Sequence, residues 1–259
     1  MDLNLNDDVV FVAGASRGVG RAIAAEVLAE GARVVLTGRD VTSLQQAHAD
    51  LEAAYGGERV LSIAGDLLDH AVIDGAFNQA VERFGRIDHL VANIGTGKGE
   101  RGWDLPDAEW QRLFDINFFG SARLTQAALP HILANPRGGS VLFISSIVAI
   151  EATPAPLPYS AAKAALINYS KNLARALASN GVRVNTIAPG NIFFEGGSWH
   201  ERSVAEPDQV RAMLDAEVPL RRFGSPEEIA RLAAFLCSPA SGFTTGSCFV
   251  VDGGQTRRI

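Results

Sequence analysis

Tyr159 and Lys163 stand at i and i+4 in the pentapeptide YSAAK, so any helix that carries them presents both on one face. A lysine ammonium held there lies close to a phenol oxygen and favours its ionised form. Moving a phenol from about 10 to neutrality takes roughly 4 kcal/mol, part of which one lysine can supply. Tyr159 is therefore a candidate general acid or base. Upstream, the run SVLFISS closes on two hydroxyls, Ser145 and Ser146, which strand alternation sends to opposite faces. Singly, each of these residues reads as a helix-start aromatic, a surface charge or a strand-end serine. Together they have the parts of a proton-transfer site.

A second stretch with chemical content is GASRGVG, where Gly14, Gly18 and Gly20 follow the apolar run VVFVAG and open a helical pattern. Glycines there let the backbone turn sharply and approach a pyrophosphate, whose charge sits at the positive end of the helix. The spacing is GxxxGxG, not the common GxGxxG, so position after a first strand carries more weight than the pattern. At the end of the second apolar run, ARVVLTGRD, an NAD site offers an acid; this chain has Gly38 and then Arg39. Arg39 with Arg17 could grip a 2′-phosphate, which favours NADP(H) over NAD(H), while Asp40 one residue on leaves a ribose contact open. An oxidised nicotinamide ring would supply the rest of the push on the phenol of Tyr159.

These residues need elements to hold them. Short Val, Ile and Leu runs at 9–14, 32–38, 59–65, 89–95, 140–146, 182–189 and 247–253 are continuous and not alternating, as in a parallel sheet covered on both faces. Amphipathic segments lie between them with recognisable ends: Gly20 to Glu30 is closed by Gly31, Pro158 to Asn180 by Gly181, and Ser225, Pro226 and Glu228 cap a helix start. The pattern predicts one α/β domain over 1–259 with a doubly wound sheet, and ligands at the carboxyl ends of its strands.

Composition narrows the class further. The net charge of −6, from 23 basic and 29 acidic residues, gives no basic stripe for nucleic acid. No basic leader precedes the first apolar run, and no apolar run reaches the roughly 18 residues a membrane helix needs, so a cytoplasmic protein with no membrane partner is expected. Cys237 and Cys248 sit in no CxxC and beside no His cluster, so neither a disulfide framework nor a metal site is expected.

GASRGVG, ANIG at 92–95, Asn117 in FDINFFG, Ser146, YSAAK thirteen residues later and Pro189–Gly190, in this order, resemble the short-chain dehydrogenase/reductase family from about Val9 to Gly254. The resemblance implies a single-domain Rossmann fold with a seven-stranded sheet. It also implies hydride transfer between NAD(P)(H) and a carbonyl or secondary alcohol, in a homotetramer or dimer. By it, Tyr159 is the proton donor, Lys163 binds the nicotinamide ribose and lowers the tyrosine pKa, and Ser146 holds the substrate oxygen. Asn117 holds a water joining Lys163 to solvent. Gly14, Ser16, Arg17, Gly18, Val19, Gly20, Asp66, Leu67, Asn93, Gly95, Pro189, Gly190 and Ile192 fall at cofactor positions, with Asp66 near the adenine.

Three departures stand out. Ala13 precedes Gly14 where Thr is common, ANIG replaces NNAG, and Phe194 occupies the place of a Thr that meets the nicotinamide amide. A substrate-binding loop is expected over about 190–220, with Thr96, Gly97, Glu151, Ala152, Pro154, Phe193, Phe194 and Trp199 around the pocket. Lys98, Arg101 and Trp103 lie on a second loop that could meet an anion. The C-terminal SCFVVDGGQTRRI is the candidate subunit contact. The narrower expectation is a 3-oxoacyl-acyl-carrier-protein reductase, which the C-terminal half resembles, although a net acidic chain is a poor match for an acidic carrier. An NAD-dependent alcohol dehydrogenase and a non-catalytic nucleotide-binding scaffold remain as alternatives.

Overall fold

The seven apolar runs become seven parallel strands in the computed structural model, which describes residues 3–257. Met1, Asp2, Arg258 and Ile259, the outer ends of the expected 1–259 domain and of the C-terminal subunit contact, lie outside the described residues. The strands are β1 (Val9–Ala13), β2 (Arg33–Gly38), β3 (Val60–Ala64), β4 (His89–Ala92), β5 (Gly139–Ile144), β6 (Val182–Pro189) and β7 (Cys248–Val251). Their order across the sheet is β3-β2-β1-β4-β5-β6-β7. The chain leaves β1 toward one edge and returns at β4 toward the other, so a crevice opens between the carboxyl ends of these two strands.

Alternation along each strand sorts the core into two layers. Val10, Val12, Val34, Leu36 and Ile187 pack under α1 (Gly18–Ala29), α2 (Val41–Tyr55) and α9 (Pro226–Cys237). Val9, Phe11, Ala13, Val35 and Phe143 face α3 (His70–Phe84), α5 (Gly120–Leu133) and α6 (Leu157–Leu177). Both faces are covered, which is why the strands read as unbroken apolar runs. The capping box at Ser225 and Glu228 starts α9, as its sequence predicts.

Three strands, β4, β5 and β7, stop two or three residues before their apolar runs end. β4 ends at Ala92 because Asn93 turns its amide back to the Gly14 carbonyl, and β5 ends at Ile144 because Ser146 caps a short 3-10 turn. The segment expected as a loop over 190–220 is mostly helical: α7 (Ser198–Ala205) and α8 (Pro207–Glu217) follow a short non-helical stretch. Pro207 at the first position of α8 was the sequence signal for this. Between α4 (Asp107–Phe114) and α5, residues Asp115–Phe119 form a π turn closed by the Gly120 N–H on the Asp115 carbonyl. Among the described residues, no helix is long and apolar enough to cross a membrane.

Candidate active site

The glycines of the β1–α1 loop are required by contact. Gly14 and Gly18 have φ of +70° and +56°, backbone that favours glycine. A methyl on Gly20 would stand 2.2 Å from the Gly14 carbonyl oxygen, so α1 could not close onto β1 with any side chain there. Asn93 Nδ2 donates to the same Gly14 oxygen at 2.9 Å and ties the loop to the end of β4. Above this loop lies a cleft of about 1110 Å³, large enough for a dinucleotide. Gly14, Ser16, Arg17, Val19, Arg39, Asp66, Leu67, Asn93, Gly95, Thr96 and Phe194 are among the residues that line it, so positions scattered along the sequence meet on one surface. Glycines without room for a Cβ, at a helix N-terminus on the rim of such a cleft, fit a pyrophosphate-bearing cofactor.

Two arginines, Arg17 and Arg39, stand at the far end of the cleft beside Asp40 and Asp66. Arg39 is exposed and makes no hydrogen bond or ion pair among the described residues. Asp40, left open above as a ribose contact, accepts from Ser43 N at 2.7 Å as the cap of α2, and these bonds hold its carboxyl below the usual range. Arg17 donates to the Gly196 carbonyl at 3.0 Å. Asp66 is exposed on the cleft and accepts from Leu68 N at 3.2 Å.

At the other end, α6 carries Tyr159 in its first turn and Lys163 one turn on. Lys163 is 4% exposed, and its Nζ donates to the Ile144 carbonyl at 2.9 Å and reaches that of Ile94 at 3.5 Å. Burial lowers its pKa to about 8. Tyr159 hydrogen-bonds Ser146, yet burial outweighs that bond and holds the phenol above its ordinary value. The expectation that Lys163 lowers the tyrosine is therefore not met by the protein alone, because its ammonium is directed at strand-end carbonyls. Ser146 Oγ accepts from Val148 N at 3.4 Å, which leaves its O–H to donate. Ser145 points the opposite way, donating to the Lys163 carbonyl at 3.0 Å.

Asn117 is fully buried in the π turn. Its Nδ2 donates to the carbonyls of Thr96 at 3.1 Å and Leu113 at 2.9 Å, and its Oδ1 accepts from Thr96 N at 2.9 Å. Three of its four bonding capacities hold the protein, so the side chain is first a brace for the β4–α4 loop. The water expected of it has only the second lone pair of Oδ1 or a carbonyl released by the π turn. Gly95 makes this possible: a methyl there would stand 2.7 Å from Asn117 Oδ1 and 2.9 Å from Lys163 Nζ. Gly95→Ala is expected to push both side chains off their partners and lower kcat about tenfold or more, measured beside thermal denaturation to separate misplacement from unfolding.

Several expected pocket residues are placed elsewhere. Trp199 does not line the cleft; its ring packs 5.3 Å from Phe223 under the Arg202 guanidinium. Phe193 meets Phe223 and His200 at 5.6 and 5.7 Å, so these aromatics form the apolar underside of α7. Glu151 accepts from Arg257 N at 3.3 Å, which brings the C-terminal tail to the Ser146–Tyr159 loop. Pro189 ends β6, Gly190 N donates to Val251 O at 2.9 Å, and a methyl on Gly190 would collide with Asp252. Ile192 bridges to Gly224. Like the Arg17–Gly196 bond, another contact had no sequence signal: Lys98 pairs with Glu201 at 2.7 Å, joining the β4–α4 loop to α7 across 103 residues.

The family model described as enoyl-(acyl carrier protein) reductase matches residues 14–256. The chain is 35% identical over 253 residues to the 3-oxoacyl-[acyl-carrier-protein] reductase of Escherichia coli (strain K12), covering 98% of this chain and 99% of that protein. The structure of L-sorbose reductase from Gluconobacter frateurii, complexed with NADPH and L-sorbose, superposes with a TM-score of 0.92 at 32% identity over the whole of both chains. That of 7α-hydroxysteroid dehydrogenase, complexed with NADH and 7-oxo glycochenodeoxycholic acid, gives 0.89 at 28% identity, covering 99% of this chain and 97% of that one.

Proposed function

The chain belongs to the short-chain dehydrogenase/reductase family of nicotinamide-dependent oxidoreductases acting on carbonyls and alcohols, and within it we propose an NADP(H)-dependent enzyme. The observation that carries the reading is the Ser146–Tyr159 pair, with the Tyr159 ring against Gly97 of a glycine-floored cleft that also holds Arg39, unpaired among the described residues. The cofactor, when bound, supplies or accepts the hydride. Every other step falls to side chains. Ser146 donates to the substrate oxygen and fixes it, and Tyr159 gives that oxygen a proton in reduction or takes it in oxidation. Lys163 holds positive charge beside the phenol and the ribose hydroxyls. Asn117 keeps the Thr96 loop in place and leads the replacement proton in from solvent.

Mixing the protein with NADPH and a panel of ketoacyl, sugar, steroid and small cyclic carbonyls, and following the absorbance of the reduced cofactor, tests this directly. Binding without turnover of any substrate would leave only a nucleotide-binding scaffold, a role with no chemical need for Ser146, Tyr159, Lys163 and Asn117 together. The preference for NADP(H) rests on the two arginines and on the tying of Asp40 to Ser43. A charge-assisted contact to phosphate is about twice as strong as a neutral one, so Arg39→Asp is expected to raise the KM for NADPH about tenfold or more and to lower that for NADH. An unchanged ratio of the two cofactors would remove Arg39 from the role.

A 3-oxoacyl-acyl-carrier-protein substrate is the second reading, favoured by full-length similarity to the Escherichia coli enzyme. A carrier-bound ketoacyl substrate turned over no better than its free thioester would argue against it. We also take the working form to be a homotetramer in the cytoplasm. Leu220 and Val250, 60% and 41% exposed, and the fully exposed Phe243 offer apolar surface about the β7 edge, and the two free thiols suit a reducing compartment.

A further inference from the structure

We propose that Phe194 is the positioning residue that pins α7 and its approach onto the glycine loop, and that it thereby sets how fast the cofactor leaves the cleft. The proposal rests on the reading that the cofactor occupies this cleft. It starts from the departure noted in the sequence, an aromatic where a small hydroxyl is common. That ring is half-buried.

Its tip lies against two glycines from segments far apart in the chain. A methyl built on Gly18, in the β1–α1 loop, would stand 2.7 Å from Phe194 Cζ, and one built on Gly197, at the start of α7, would stand 2.9 Å from the same atom. Both surfaces are therefore bare backbone against which the flat ring packs. The turn that presents it is tight: Gly197 N donates to the Phe194 carbonyl at 3.0 Å, with Gly196 at φ +72° between them.

Two polar ties flank the ring. Arg17 Nη1 donates to the Gly196 carbonyl at 3.0 Å, and Lys98 pairs with Glu201 on α7. So the segment is held to both rims of the cleft, at the β1–α1 loop and at the β4–α4 loop. The side chains of Lys98 and Glu201 are 63% and 55% exposed, however, and an ion pair so open to water is screened and weak. The half-buried ring is the apolar tie of the three, so its removal should matter most.

Stopped-flow displacement of bound NADPH reads the consequence. Phe194→Ala is expected to speed cofactor dissociation about tenfold or more, raising the KM for NADPH without a matching fall in kcat. Gly197→Ala tests the same contact from the other side. Gly197 has φ −83° and ψ 166°, where alanine is unstrained, so its new methyl acts only by displacing the ring and should speed release as well. In the double variant the methyl finds the space the ring has left, and release should be no faster than in Phe194→Ala alone. Phe194→Leu, which keeps apolar bulk, should recover part of the parent residence time, and thermal melts of each variant guard against unfolding. Release at the parent rate in both single variants, or strictly additive effects in the double, overturns the pin while leaving the cofactor reading intact. Failure of the parent protein to bind NADPH or NADH would overturn both.

Discussion

Replacing Tyr159 by Phe is expected to lower kcat about a thousandfold, within the range a positioned general acid supplies, while the Kd for NADPH stays within about twofold. The ring keeps its packing and only the hydroxyl that meets Ser146 is lost, so a fall confined to kcat isolates proton transfer from cofactor binding. Initial rates and a fluorescence titration measure the two quantities. Retention of full turnover would remove Tyr159 from the chemistry. The raised phenol gives the parent enzyme a pH signature with a definite sign. A group held protonated is ready to donate at neutral pH, so carbonyl reduction should be flat there and decline only in alkali. Alcohol oxidation needs the same group deprotonated and should climb with pH through the alkaline range. Oxidation already at its maximum near neutrality would mean that the bound cofactor and Lys163 together reverse what burial does. Ser146→Ala should cost less, about tenfold to a hundredfold, because the phenol remains and only the fixing of the substrate oxygen is lost.

Much of this site could be read from spacing because its parts are local. YSAAK states a helical face by itself, and GASRGVG states a backbone that must turn and approach another chain segment. The fold was legible for the same kind of reason: unbroken Val and Ile runs identify strands with both faces covered. What escaped lies in contacts between distant segments. Nothing in the sequence joins Lys98 to Glu201 or Arg17 to Gly196, since each pair meets only after the sheet has brought the ends of β1, β4 and β6 together. Trp199 was misplaced for a related reason. An aromatic near a cleft in sequence order can turn toward its own helix when a partner such as Phe223 arrives from a later segment. The π turn at Asp115–Phe119 has no distinctive residue pattern either, because it is set by how α4 and α5 must pack around Asn117. For Tyr159 the sequence shows the neighbouring Lys163 but not burial, which in the cofactor-free protein acts on the same phenol with the opposite sign.

Burial also makes Lys163 the place where catalysis and stability conflict, and Lys163→Met should expose this. The variant is expected to lose about a hundredfold or more in kcat, since no other cation stands one turn from the phenol. Its stability should change in a way that depends on pH. In the cofactor-free parent the lysine pKa is about 8, well below the value of an unfolded chain. Below pH 8 both states carry the charge, and the folded state bears the full cost of burying it. As pH rises toward the unfolded value near 10, the folded state releases the proton first, the unfolded state binds more protons, and stability must rise, by up to roughly 3 kcal/mol. The variant has no such rise. Near neutrality the two effects of the substitution oppose each other: the buried charge is gone, but the carbonyls of Ile144 and Ile94 lose a donor, at a cost of about 1 to 3 kcal/mol. The melting temperatures should therefore lie close together at pH 7 and diverge in alkali, with the parent gaining about 6 to 10 °C on the variant. Comparing the two proteins at each pH cancels the other titrating groups. A difference that stays constant between pH 7 and 10 would show that the ammonium is solvated as it stands. Lys163→Arg offers the converse check. A guanidinium keeps the charge at every pH, so it too should abolish the alkaline gain, and its planar fork cannot reproduce a point charge aimed at the Ile144 and Ile94 carbonyls.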